Sequence, residues 1–263
     1  MNAFLDGINV ETINSHIEKN LDDFYIKASE HPNFISRIED KISWVLARTA
    51  DWPDCIFRAD FENLNIKKEI KNIKKLIQKG KAPNGWTIGP LTKPKNIGKF
   101  LEKFGFSNVY QQAGMAVKLK NIKNKEIKKN ELIIEKVENE ESLVQWSKTV
   151  SQVFGLKIDF EFLKFLLLQE EVHFYLGKFE GNPTSTLMLY ISSGVAGLHA
   201  VSTLPEYRNK GFGLTISRTA LIDAFNIGYR VGVLQASSLG ESVYRKLGFQ
   251  KYCDIISYAL EKE

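Results

Sequence analysis

The stretch "YRNKGFGLTIS", residues 207–217, sets Arg208, Lys210, Gly211 and Gly213 between a strand-like run, "GLHAVSTL", and a helix-like one, "LTISRTALIDAFNIG". A helix N-terminus offers unpaired N–H groups and the positive end of the macrodipole, so a glycine-lined approach to it suits an anion, above all a phosphate. The frame is R-x-x-G-x-G. It lacks the G-K-[ST] of a Walker A loop and the G-x-G-x-x-G spacing of a dinucleotide fold. Glycines before a helix also serve plain turns, so a structural joint is the competing reading of these residues.

The elements that must position this loop form an α+β set. Ahead of it, "VHFYLGKF", "TSTLMLYIS" and "VAGLHAVSTL" are joined by tight turns at "EGNP" and Ser193-Gly194, which predicts an antiparallel meander. After it come a helix, the strand "RVGVLQAS", the helix "GESVYRKL" and a last strand, "FQKYCDIISYAL". The polar, lysine-rich segment "KNIKNKEIKKNE" reads as a linker, giving an N-terminal α+β unit over 1–119, a linker over 120–130 and a second unit over 131–263. A weak internal repeat supports duplication: "FLEKFGFSNVYQQAGMAVKL" closes the first unit much as "VYRKLGFQKYCDIISYAL" closes the second. The first unit has no counterpart of RNKGFG.

Composition sets outer limits. The 263 residues are 43% hydrophobic and 25% charged, enough apolar material for substantial cores. Residues 62–130 hold 17 Lys or Arg against 4 Asp or Glu. In "NIKKEIKNIKKLIQKG", however, Ile66, Ile70, Ile73 and Ile77 mark one buried helix face whose lysines are its solvated side, and the aromatic interleaving of a single-strand binder is missing. No nucleic-acid partner is expected. The start has neither a basic n-region nor a long apolar core, and no apolar run spans a membrane, so the expected setting is cytoplasmic. Cys55 and Cys253 stand far apart and read as buried thiols; the four histidines have no ligand spacing, and no metal is expected.

With "VYRKLGF" one strand downstream, the loop resembles the GNAT superfamily of acyl-CoA-dependent N-acyltransferases. Arg208, Gly211 and Gly213 fill all three positions of that family's [RQ]-x-x-G-x-[GA] signature, Pro205 and Tyr207 precede them as is usual there, and Tyr244 takes the tyrosine position of its "lYeklGF" helix. The match spans residues 131–260. Adding "GWTIGPLTKPKNIGKFLEKFGF" and "GMAVKL", the chain is similar to a bacterial two-domain group with an N-terminal helper or degenerate GNAT-like domain.

The resemblance implies a GNAT fold, a mixed and mostly antiparallel sheet flanked by helices, with acetyl-CoA as acyl donor and an amine as acceptor, reacting by direct attack in a ternary complex. It implies that backbone groups of Val201, Ser202 and Thr203 bind the pantetheine arm and thioester. Asn209, Lys210, Gly211, Phe212, Gly213 and Leu214 would wrap the pyrophosphate, with charge from Arg208 and Lys210. Tyr244 would protonate the leaving thiolate, or else pack its helix on the sheet. His199 is the candidate base, or a strand histidine held by a local hydrogen bond; strand period two puts it on the face of Val201 and Thr203. Ser237 would touch the cofactor or cap the following helix. Trp44, Trp52 and Trp86 would form core or wall an acceptor pocket. The alternative function is a non-catalytic acyl-CoA-binding or sensor protein with a retained pyrophosphate loop. The acceptor and the oligomeric state are left open.

Overall fold

A computed structural model describes residues 10–123 and 130–261. Residues 1–9, where a leader was not expected, and 124–129 of the proposed linker lie outside the described residues. In chain order the first part contains α1 (Val10–Ala28), β1 (Phe34–Arg37), β2 (Ser43–Ala47), β3 (Cys55–Phe57), α2 (Ile66–Gln78), β4 (Gly85–Ile88), α3 (Ile97–Lys103), β5 (Phe106–Lys118) and α4 (Leu119–Lys123). The second contains β6 (Ile133–Lys136), α5 (Glu140–Phe154), α6 (Phe160–Leu167), β7 (Val172–Phe179), β8 (Asn182–Ser192), β9 (Val195–Thr203), α7 (Phe212–Asn226), β10 (Val231–Ala236), α8 (Glu241–Leu247) and β11 (Gln250–Leu260). Two of these were not foreseen: β1, and α4, which turns the start of the lysine-rich segment into a helix because Leu119 and Ile122 are both fully buried.

All eleven strands join one sheet in the order β1-β2-β3-β4-β11-β5-β10-β9-β8-β7-β6. The meander β7 to β9 is antiparallel, as its tight turns required, and β6 adds to it antiparallel along β7. Each part then makes one parallel crossover, β3 to β4 through α2 and β9 to β10 through α7. At the centre the parts exchange strands: β5 pairs with β10 of the second part, and β11 pairs with β4 of the first. β5 and β11 also run antiparallel to each other, from Phe106↔Leu260 to Ala116↔Gln250. The internal repeat thus brackets similar turns: Gly105 (φ 86°) lies just past the Phe104 C-cap of α3 and Gly248 (φ 98°) is the C-cap of α8, left-handed positions that suit glycine, and each is followed by a buried Phe.

Strand alternation sorts the second part's core onto two faces. Leu187, Leu189 and Ile191 of β8 meet Ile216, Ala220 and Leu221 of α7, whereas Met188 and Tyr190 meet α5 and α6 through Trp146, Val150 and Phe162. In the first part, α2 buries Ile70 and Ile73 beside Trp86, and Lys67, Lys68, Lys71 and Lys75 stand exposed, so the lysine run is the solvated side of an amphipathic helix. Among the described residues no helix is long and apolar enough to cross a membrane.

Candidate active site

The meander delivers β9 to the middle of the sheet, where it parts from its parallel neighbour. β10 pairs with β9 only from Gly232↔Ala196 to Leu234↔Leu198, although β9 runs on to Thr203. A bulge accompanies the parting: the β8–β9 register shifts between Thr186 and Met188, and Ala200 adopts φ 49°. Along its edge toward β10, the segment containing Val201, Ser202 and Thr203 therefore lies beyond the paired region. The Ser202 hydroxyl is engaged across the sheet with Thr186 Oγ1 at 2.7 Å, so only its backbone is available to a ligand.

The bulge also corrects a sequence expectation. His199 does not share a face with Val201: Ala200 packs with the α5 side and Val201 with the α7 side, so the inserted residue breaks period two and leaves His199 facing α1. Its ring stacks on Phe24 (5.6 Å between centroids), and its Nε2 lies 2.9 Å from Asn20 Oδ1. Asn20 directs its Nδ2 to the Tyr190 carbonyl (3.2 Å) and Ser192 Oγ (2.8 Å). A carbonyl only accepts, so the amide oxygen faces His199, whose Nε2 must donate and whose Nδ1 is left bare. Burial pushes the His199 imidazole down to about 4. Asn20 was missed at the sequence level. The signals were a polar residue inside α1 and a glycine, Gly197, opposite it: a Cβ there would sit 1.8 Å from Asn20 Oδ1.

A stability consequence follows. The unfolded chain protonates this histidine below about 6.5 and the folded chain only near 4, so its contribution falls as pH drops through that window, by at most about 3 kcal/mol. Glu18, buried and raised to about 7, acts in the opposite sense in both proteins and cancels in a comparison. Urea midpoints at pH 7 and pH 4.5 should therefore fall further for wild type than for His199→Gln; equal losses would contradict the burial.

Beyond Thr203 the chain turns through Pro205–Tyr207 and enters the glycine loop. Asn209 (φ 64°) and Gly211 (φ 82°) are both left-handed, and Gly211 is the N-cap of α7 without any side-chain cap, so the first N–H groups of α7 face outward unclaimed by a capping side chain. Gly213 has ordinary dihedrals and room: an added Cβ would meet only Thr203 Oγ1, at 3.7 Å. Asn130 ties the loop down through Lys210 O (3.3 Å) and Thr215 Oγ1 (2.8 Å). Arg208 Nε donates to Thr203 O (3.2 Å), and the Lys210 ammonium rests 4.8 Å from the centre of the Phe179 ring. The counterpart in the first part is closed. Arg58 (φ 53°), two residues past Ile56, shares the left-handed backbone of Ala200 two residues past Leu198, yet α2 is capped by Asn65, whose side chain accepts from Lys68 N.

The remaining candidates come from α8 and its approach. Ser237 Oγ accepts from Gly240 N at 3.1 Å and so closes the turn into α8. Tyr244 is 8% exposed, packs on Phe249, and finds no hydrogen-bond partner for its hydroxyl among the described residues; burial pushes its phenol well above the usual range. Cys55 is buried and Cys253 half-buried, with thiols pushed up to about 11 and about 12 by burial. Of the tryptophans, Trp44 and Trp86 are core, whereas Trp52 lines a cavity beside His199. Among the described residues, no group of three or more His, Cys, Asp or Glu is arranged to hold a metal ion.

Residues 135–249 match the model of the acetyltransferase (GNAT) family. The chain superposes on a GCN5-related N-acetyltransferase from Kribbella flavida with a TM-score of 0.71 at 15% identity, covering 98% of each chain. It superposes on a conserved protein of unknown function from Staphylococcus epidermidis (TM-score 0.60, 11% identity, 89% and 96% covered). A GCN5-related N-acetyltransferase from Sphaerobacter thermophilus gives a TM-score of 0.56 at 15% identity, with 84% and 81% covered. No curated protein sequence matches. The open β9–β10 edge and the uncapped α7 both fall within residues 135–249: that part of the chain is a GNAT-family acetyltransferase domain, and the chain as a whole has the GNAT fold.

Proposed function

We propose that the protein is an N-acetyltransferase that moves the acetyl group of acetyl-CoA to an amine by direct attack in a ternary complex. The observation that carries this reading is the parting of β9 from β10 directly ahead of an uncapped, glycine-bounded helix N-terminus. Residues 131–263 would hold the donor, and residues 1–119 would assist. Asn209 to Leu214 would take the pyrophosphate on the N–H groups of α7, with Arg208 and Lys210 supplying charge. Backbone groups from Val201 to Thr203 would receive the pantetheine arm and polarise the thioester carbonyl, an interaction worth a few kcal/mol of barrier. When bound, acetyl-CoA supplies the activated acyl group.

The chain's own residues then handle protons. The bare Nδ1 of His199 accepts one from the amine, directly or through water, and the tautomer that allows this is held by Asn20. Tyr244 stays protonated at neutral pH and donates toward the departing sulfur. Ser237, besides closing its turn, borders the same opening at the end of β10. A covalent route through Cys253 is disfavoured, because a thiol held near 12 forms almost no thiolate at pH 7.

The test pairs calorimetric titration of acetyl-CoA with acceptor-dependent release of CoA thiol. Saturable binding with turnover is expected, and Tyr244→Phe should lower kcat about a hundredfold while leaving acetyl-CoA affinity within about threefold. Binding without turnover for any amine, unaffected by the substitution, would instead identify an acyl-CoA sensor.

A further inference from the structure

A cavity of about 170 Å³, lined in part by His199 and Ala200 immediately ahead of the proposed donor segment of β9, has walls from both parts of the chain. Leu21 and Phe24 of α1, Trp52, Trp146 and Val150 of α5, and His199 of β9 line it. Phe24 is sandwiched, 5.1 Å from Trp52 and 5.6 Å from His199, both nearly parallel, so one wall is a continuous aromatic stack. The polar atom of Trp146 is turned away and donates to Leu187 O at 3.3 Å. No Asp or Glu is among the lining residues.

We infer that the acceptor is a small primary amine carried on a single aromatic ring or a compact aliphatic group, bound with that group in this cavity and its nitrogen beside His199. This rests on the N-acetyltransferase reading of the β9–β10 opening. The size argument is direct: an apolar cavity of about 150 Å³ accommodates one benzene ring, and this one is slightly larger. The charge argument is independent of size. A polycation such as a polyamine or an aminoglycoside would bring further ammonium groups against aromatic and aliphatic walls with no carboxylate to receive them. A monoamine has a single nitrogen, and His199 is the titratable group lining the cavity that can take its proton.

The experiment uses the full chain with acetyl-CoA and four probes: 2-phenylethylamine, hexylamine, spermidine and kanamycin. CoA release with 2-phenylethylamine or hexylamine is expected to exceed that with the two polycations by at least about tenfold in kcat/KM. Val150→Trp, which fills the cavity from α5, should raise KM for 2-phenylethylamine by about tenfold or more and leave the calorimetric Kd for acetyl-CoA within about twofold. Phe154→Asp, at an exposed residue of the cavity lining, keeps the test alive should Val150→Trp fail to fold, and should shift preference toward spermidine. Faster turnover of spermidine or kanamycin by wild type, or indifference to both substitutions, overturns the inference. Failure of acetyl-CoA to bind would sink the acetyltransferase reading instead. In that event, binding heats of 2-phenylethylamine that Val150→Trp abolishes would uphold the cavity assignment, and their absence would overturn it.

Discussion

A chain ending at Phe249 is expected not to fold. Removing β11 leaves β4 and β5 each without a partner along one edge, at the centre of the sheet rather than at its rim. It also strips Ile255, Tyr258 and Leu260 from the core, where they are 1%, 5% and 9% exposed. At about 1.5–3 kcal/mol for each large buried side chain, that loss alone is comparable with the 5–15 kcal/mol that stabilises a typical domain. Circular dichroism and a thermal melt provide the check: a cooperative transition near that of the intact protein would mean that the exchanged strand is dispensable.

The second large effect concerns the donor loop. In the variant carrying Gly211→Glu and Gly213→Glu, acetyl-CoA affinity is expected to fall roughly a thousandfold. Two carboxylates beside the proposed pyrophosphate site each add a like charge, worth between about 1 and about 4 kcal/mol at contact as the local dielectric moves from water to protein surface. Taking about 2 kcal/mol for each gives about 4 kcal/mol, close to three decades in Kd. At Gly211 the left-handed φ of 82° adds backbone strain for any side chain, so the loop itself would shift. Gly213 has space, and its effect is electrostatic. Calorimetry on the folded variant decides the matter; unchanged affinity would remove the loop from the binding site.

Much of this could be read along the chain, because the relevant signals are local. The glycine loop, the meander turns and the isoleucine stripe of α2 each depend on residues within one or two turns of one another. What escaped was non-local. Nothing near Phe106 or Gln250 announces that the last strands of the two parts pair with each other and with the other part's crossover strand. The face of His199 was misjudged because a single left-handed residue, Ala200, resets the alternation, and an alanine gives no warning of it. Asn20 reaches the site only through tertiary packing of α1 against β9, so its role could not be read from its neighbours in sequence.

The strand exchange also bears on ancestry. In a tandem of self-contained copies, either copy can be deleted from the gene and the other survives. Here each part has given away its last strand and depends on the one it received. The half whose crossover helix is capped by Asn65 cannot be shed without leaving β10 of the other half unpaired along its β5 side. Two parts joined in this way are retained together by selection on folding alone, whatever chemistry either one carries.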